Sequence, residues 1–209
     1  FNNLGVTGLF MLSSNIPRAV REARGYHAVG GCGGHSDAWH LSTDTLDKAD
    51  PEVLVRDVRV YATALARLLA APVPPLDYAR TVEGHRETVA DYDERAGDAF
   101  DLSPVRAALD DLSEALAAFD DRVEDGDVEP AAATDAYRRL SRHLVRVNFA
   151  SEGAFEQDPA TDRPPYPGLE PATRLDAMDD DERRKHEVRL RRQRNRAVHE
   201  LRRALEVVA

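Results

Sequence analysis

Several things are scarce in this chain, and each scarcity removes a class of protein. Of 209 residues one is cysteine, Cys32, so no internal disulfide can form. There is one tryptophan, Trp39, and aromatics make up 6% of the whole. No apolar run approaches the roughly 20 residues that a membrane-spanning helix requires; the longest candidate, 60–73, is interrupted by Arg67 and Pro72. Positive charge is also in deficit, at 28 Lys+Arg against 38 Asp+Glu, a net −10 that argues against nucleic acid as a partner. Lysine is almost missing. Lys48 and Lys185 are the only two, and the other basic residues are arginines. An acid-rich, lysine-poor chain suits high salt, where acidic groups aid solubility and ions screen their mutual repulsion. A GC-rich genome would also favour arginine and alanine. No basic region precedes the first apolar residues, so the start does not read as a signal peptide, and a cytoplasmic setting is the default. The chain begins at Phe1 rather than Met, which gives the expectation of a piece cut from something longer.

What is present divides in two. The segment 30–48, GGCGGHSDAWHLSTDTLDK, concentrates glycine with the sole Cys, the sole Trp and the pair His35 and His40. Glycines allow positive φ and close backbone approach, and functional side chains are commonly presented from such loops. His40 is therefore the first candidate for chemistry. His35-Ser36-Asp37 has the look of a metal-binding pair, but a glycine-loop pair bonded to backbone is the plainer reading. Cys32 reads as a small packed residue. Upstream, 4–12 is short, apolar and bounded by Asn and Ser, which predicts a strand buried on both faces; 26–29 is at most a second short one.

The remainder has helical spacing. Asp50-Pro51 marks a helix start, followed by Leu54, Val58, Tyr61, Leu65 and Leu68 at steps of four and three, with an end before Pro72. The stiff Pro72-Val73-Pro74-Pro75 connector sets a domain boundary, giving segments 1–76 and 77–209. A helix over 77–97 comes next. Val105, Leu109, Leu112, Leu116, Phe119 and Val123 form a stripe broken at Asp125-Gly126-Asp127, and Tyr137, Leu140, Leu144 and Val147 repeat it. The segment 159–171 holds five prolines and Gly168 and reads as an irregular loop. Asp179 to Glu182 place acid at the start of a last helix, where the macrodipole favours it, and Val198, Leu201, Leu205 and Val208 are its apolar edge. Four such helices make a bundle. Alanines beside the stripes (Ala107, Ala108, Ala115, Ala117, Ala118, Ala197 and Ala204) widen the apolar faces, which implies a further contact surface within the bundle or across a two-fold axis.

The residues Phe1-Asn-Asn-Leu-Gly5, then Trp39-His40, then Asp44-Thr45-Leu46-Asp47-Lys48 and a helix resemble the C-terminal end of the catalytic domain of the zinc exopeptidases. That family holds bacterial aminopeptidases and glutamate carboxypeptidase II. The helical remainder, with Pro165-Tyr166-Pro167-Gly168 before a long last helix, looks like the dimerisation domain of the branch that includes the transferrin receptor. The resemblance implies an α-rich chain: the end of an α/β catalytic domain followed by a four-helix-bundle-like dimerisation domain. It implies two zinc ions in the intact protein, one of them held by His40, with the other ligands and the general base upstream of Phe1. It implies a peptide substrate, a homodimer through the helices and no activity from this chain alone. Asp37 and Asp44 become candidates to steady the His40 ring, and Trp39, Phe10 and Tyr166 candidates to lie near substrate. Trp39 stands where glutamate carboxypeptidase II has Tyr, and the arginines and the Lys-Tyr pair that read a terminal glutamate are missing. An apolar or broad substrate pocket fits better. The competing implication is a receptor or scaffold of the transferrin-receptor kind, without metal chemistry.

One prediction follows from composition. If the acidic, lysine-poor surface is adaptive, the melting temperature rises steadily from dilute to molar salt as self-repulsion is screened. A melting temperature that is flat or falls over that range contradicts it.

Overall fold

In the computed structural model the described residues are 1–6, 8, 19, 23, 41–159 and 163–209. They are α-rich, with no strand among them. They group into two compact units, Gly8–Ala71 on one side and Phe1–Thr7 with Pro72–Ala209 on the other.

In the first unit, a short 3₁₀ turn, Leu46–Lys48, leads into helix α1, Pro51–Ala70. The sequence explains its start: Asp50 Oδ1 accepts from the Glu52 and Val53 amides at 2.8 and 3.4 Å, and Pro51 lacks the amide that would go unsatisfied there. Pro72 prevents continuation. No residue of α1 is buried, and Leu54, Val58, Leu65 and Leu69 are all about half exposed or more. An amphipathic helix with an uncovered apolar face is an unfinished layer.

The second unit is a four-helix bundle of α2 (Tyr78–Ala96), α3 (Ser103–Glu124), α4 (Pro130–Phe149) and α5 (Asp180–Val208). Three of the four starts have a carboxylate close by. Asp77 Oδ1 accepts from the Arg80 amide at 2.8 Å, Asp101 Oδ1 from Ser103 at 2.9 Å, and Asp179 Oδ1 from Asp181 and Glu182 at 3.0 and 2.9 Å. Helix α3 gives way to Gly126, whose φ of 80° suits a residue without Cβ. Helix α5 packs on both α3 and α4, and α2 packs on α3. Stacked Tyr78 and Tyr137, with centroids 5.3 Å apart, link α2 to α4, and Phe119 meets Tyr137 edge-on at 5.4 Å. The core runs through Val82, Val89, Leu109, Leu112, Leu116, Leu140, Leu190 and Leu201, all essentially inaccessible.

Three expectations change. Residues 2–4 form a 3₁₀ turn, and Gly5 follows in the left-handed region, so the strand expected over 4–12 does not begin at Leu4; residues 9–12, and the strand expected over 26–29, lie outside the described residues. The physical reason is capture by the bundle. The Asn3 side chain donates to the carbonyls of Gly153 and Glu156 at 3.1 and 2.7 Å, and Gly5 lies so close to α4 that a Cβ would come within 2.5 Å of the Arg142 carbonyl. The proline-rich loop is shorter than its composition suggests, because Pro171 opens a 3₁₀ segment, Glu170–Ala177, packed on α2 and α5. The widened alanine faces are used in part inside the bundle: Ala108, Ala197 and Ala204 are buried by neighbouring helices of the same unit, whereas Ala107, Ala117 and Ala118 are exposed. Leu201, wholly buried, is thus a core residue and not part of a surface between subunits.

That placement fixes the outcome of substitution. Leu201→Ala lowers unfolding free energy by about 3 kcal/mol through lost burial and a cavity, and Leu201→Asp gives unfolded or insoluble protein. Denaturant unfolding and circular dichroism check this; a well-folded Leu201→Asp protein contradicts the packing.

Candidate functional site

The residues around His40 belong to the first unit. His40, Trp39, Asp37 and Phe10 lie outside the described residues, as do Cys32 and His35. What is described is the element that follows. Asp44 is exposed, and its amide donates to the Leu41 carbonyl at 3.1 Å. Thr45 Oγ1 donates to Asp47 Oδ1 at 2.5 Å, and that bond, more than any other contact, holds the Asp47 carboxyl below its ordinary range. The Lys48 amide returns to the Thr45 carbonyl at 3.0 Å. The segment Asp44-Thr45-Leu46-Asp47-Lys48 is thus a tight turn delivering the chain to the Asp50 cap of α1. It sets the direction of the backbone directly after His40. Among the described residues no cluster of three or more His, Cys, Asp or Glu side chains could hold a metal ion.

Tyr166 is elsewhere. It sits in the bundle unit, 1% exposed, in the left-handed region at φ 52°. Its amide donates to the Asn148 carbonyl at 3.1 Å, and its own carbonyl accepts from Leu169 and Glu170 at 2.8 and 3.2 Å. Tyr92 Oη donates to the Pro165 carbonyl at 2.7 Å, so the turn is pinned from α2 as well. A Cβ at Gly168 would lie 2.4 Å from Gln193 Oε1 on α5, so a larger residue there would displace that side chain. The Tyr166 hydroxyl lies 3.0 Å from His85 Nδ1, with the rings edge to face at 5.2 Å. Tyr166 therefore serves the bundle interior, and its hydroxyl is engaged there.

His85 was not singled out from the sequence, yet it is the most perturbed histidine described. It is 5% exposed, and burial depresses its pKa from 6.5 to about 4, so it is neutral under ordinary conditions. The signal was available: it falls on the inward series Val82, His85, Val89, Tyr92, Ala96, at steps of three and four. A second polar knot joins α4 to α5. His143 Nδ1 lies 2.6 Å from Glu200 Oε2, and Arg146 Nη1 lies 3.4 Å from Glu200 Oε1. Burial raises the Glu200 pKa, but the His143 hydrogen bond and the Arg146 charge outweigh it and the net shift is downward.

No protein-family model matches the chain, and no curated protein and no solved structure is significantly similar to it.

The depressed His85 pKa gives a pH prediction with a definite sign. An unfolded histidine titrates near 6.5, so between about 6.5 and about 4 the unfolded chain binds a proton that the folded chain refuses. Stability falls as pH drops through that window, by about 2 kcal/mol between pH 7 and 5 from this group. His85→Gln, which keeps a polar partner for Tyr166, removes that share of the acid sensitivity. Denaturant titrations at both pH values check it, and an unchanged difference between the two proteins contradicts it.

Proposed function

We propose that this chain is the C-terminal portion of a dizinc metallo-exopeptidase that hydrolyses terminal peptide bonds, inactive as this portion alone. The observation that carries the reading is the run Trp39-His40-Leu-Ser-Thr-Asp44-Thr45, followed by a turn and an Asp50-capped helix, in the order found in the zinc exopeptidases. Two neighbouring metal ions in such enzymes activate a water and stabilise the charge that develops as it attacks. The contribution of this chain is the neutral His40 imidazole, a donor that suits zinc. One imidazole is not a site, because zinc centres use three or four protein ligands; the remaining donors and the general base belong to other sequence of the intact protein. Asp37 or Asp44 would fix the ring by accepting from its second nitrogen. The uncovered apolar face of α1 supports the reading, since a helix of an α/β domain buries that face against a sheet. Dimerisation through the helical bundle belongs to the same proposal, with an apolar-centred interface on the order of 2,000 Å². Its contact residues would be drawn from the outer faces, such as the exposed Ala107, Ala117 and Ala118.

In the intact protein His40→Ala loses about one zinc per chain and at least about 100-fold in peptidase activity, with the helical circular dichroism retained. Metal analysis of the purified variant is the check. Two zinc ions still bound per chain would overturn the assignment.

A further inference from the structure

Between the first half of α2 and the second half of α4 lies a cleft of about 240 Å³, entirely within the bundle unit. Leu144, Val145 and the Tyr78 ring form its apolar walls, and Phe149, 54% exposed, stands at its rim. His85 also lines it. The protonation pattern of that ring follows from its partner. The Tyr166 hydroxyl is buried, and among the described residues its one hydrogen-bond partner is His85 Nδ1. A buried hydroxyl must place its proton somewhere, so Tyr166 donates and Nδ1 accepts. The neutral ring then carries its hydrogen on Nε2, at the opposite edge. Nε2 has no partner among the described residues. It is not sealed in either, because the one enclosed side-chain polar atom without a partner among them is Arg146 Nε. The free N–H thus belongs to a ring that lines the cleft.

We propose that this cleft binds a small neutral organic molecule, an apolar body carrying a carbonyl acceptor, with the His85 Nε2–H as its donor. Among the other hydroxyls of the cleft, Thr81 Oγ1 is already engaged, donating to the Asp77 carbonyl at 3.1 Å. The Asn148 side chain offers a second polar contact at the wall. Charge selects against anions, since Asp77 lines the cleft and no arginine or lysine does. The volume suits a body of about ten non-hydrogen atoms. This site is independent of the zinc chemistry proposed above. Through His85 and Tyr166, occupancy is linked to the Pro165-Tyr166-Pro167-Gly168 turn.

The test uses the full chain, labelled with ¹⁵N, and three probes: acetanilide, ethylbenzene, which lacks the acceptor, and phenylacetate, which is anionic. Acetanilide shifts the His85 Nε2–H resonance saturably, with Kd about 1 mM or tighter. Ethylbenzene binds at least about fivefold more weakly without moving that resonance, and phenylacetate leaves it unmoved. Thr81→Trp, at an exposed position beside the cleft, abolishes the acetanilide effect. The proposal is overturned if acetanilide produces no saturable shift, if ethylbenzene binds equally well, or if Thr81→Trp binds acetanilide as the unmodified chain does.

Discussion

The bundle depends on a narrow apolar stripe along its last helix. Over 29 residues, α5 buries Leu190, Ala197, Leu201, Ala204 and Val208 and little else. Those residues recur at steps of seven, four, three and four, so they stay on one face and reach both α3 and α4. Much of the surface around the stripe is charged, and the charges pair locally: Arg183 and Arg191 with Glu187, Arg203 with Glu206. Exposed pairs of that kind contribute a few tenths of a kcal/mol each and less in salt, whereas one fully buried leucine contributes about 2 kcal/mol. The stripe decides the fold, and the arginines keep its outer surface soluble. A helix tied down by apolar burial is also one that high salt does not loosen, which agrees with the acidic, lysine-poor composition.

Polar groups inside the bundle act as locators. The Tyr137 hydroxyl donates to Asp120 at 2.6 Å, Tyr92 holds the Pro165 carbonyl, and Tyr166 reaches His85. Each sets an aromatic body into the core while its hydroxyl meets one defined partner. The turn at 165–168 is held by two of them, which is how Tyr166 is kept at a positive φ that a side-chain-bearing residue seldom adopts. Residues 151–158 and Arg163 are held by the same means on a smaller scale: Ser151 and Asp158 bond each other, Arg163 spans both, and Asn3 reaches in from the N-terminal turn.

Helix identity was legible wherever the determinants are local. Asp50, Asp77 and Asp179 announce their helices because a side-chain oxygen and an amide two or three residues on are all a cap requires. The stripes of α3, α4 and α5 were legible for the same reason: periodicity alone fixes a face. What the sequence did not convey depends on distant partners. The 4–12 run has strand composition, but residues 1–5 are claimed by Arg142 and the 153–156 carbonyls, far away in sequence. The alanine-widened faces could equally have met a second subunit, and only the packing of α5 against two helices settles Ala108, Ala197 and Ala204 inside. Tyr166 sits among prolines that suggest a surface loop, and nothing local records the histidine awaiting it on α2. The metal reading remains a matter of the Trp39-His40 motif and the turn after it.

The central structural claim is that the four helices of the bundle form one cooperative body completed by α5, whereas α1, with no buried residue, is held less firmly. Native-state amide hydrogen exchange on the full chain in molar salt tests it most directly. The account predicts one common opening free energy for the slowest amides of α2, α3, α4 and α5, and a lower one for α1. An α5 that opens independently while the other three helices stay protected, or an α1 as protected as the bundle, would contradict it.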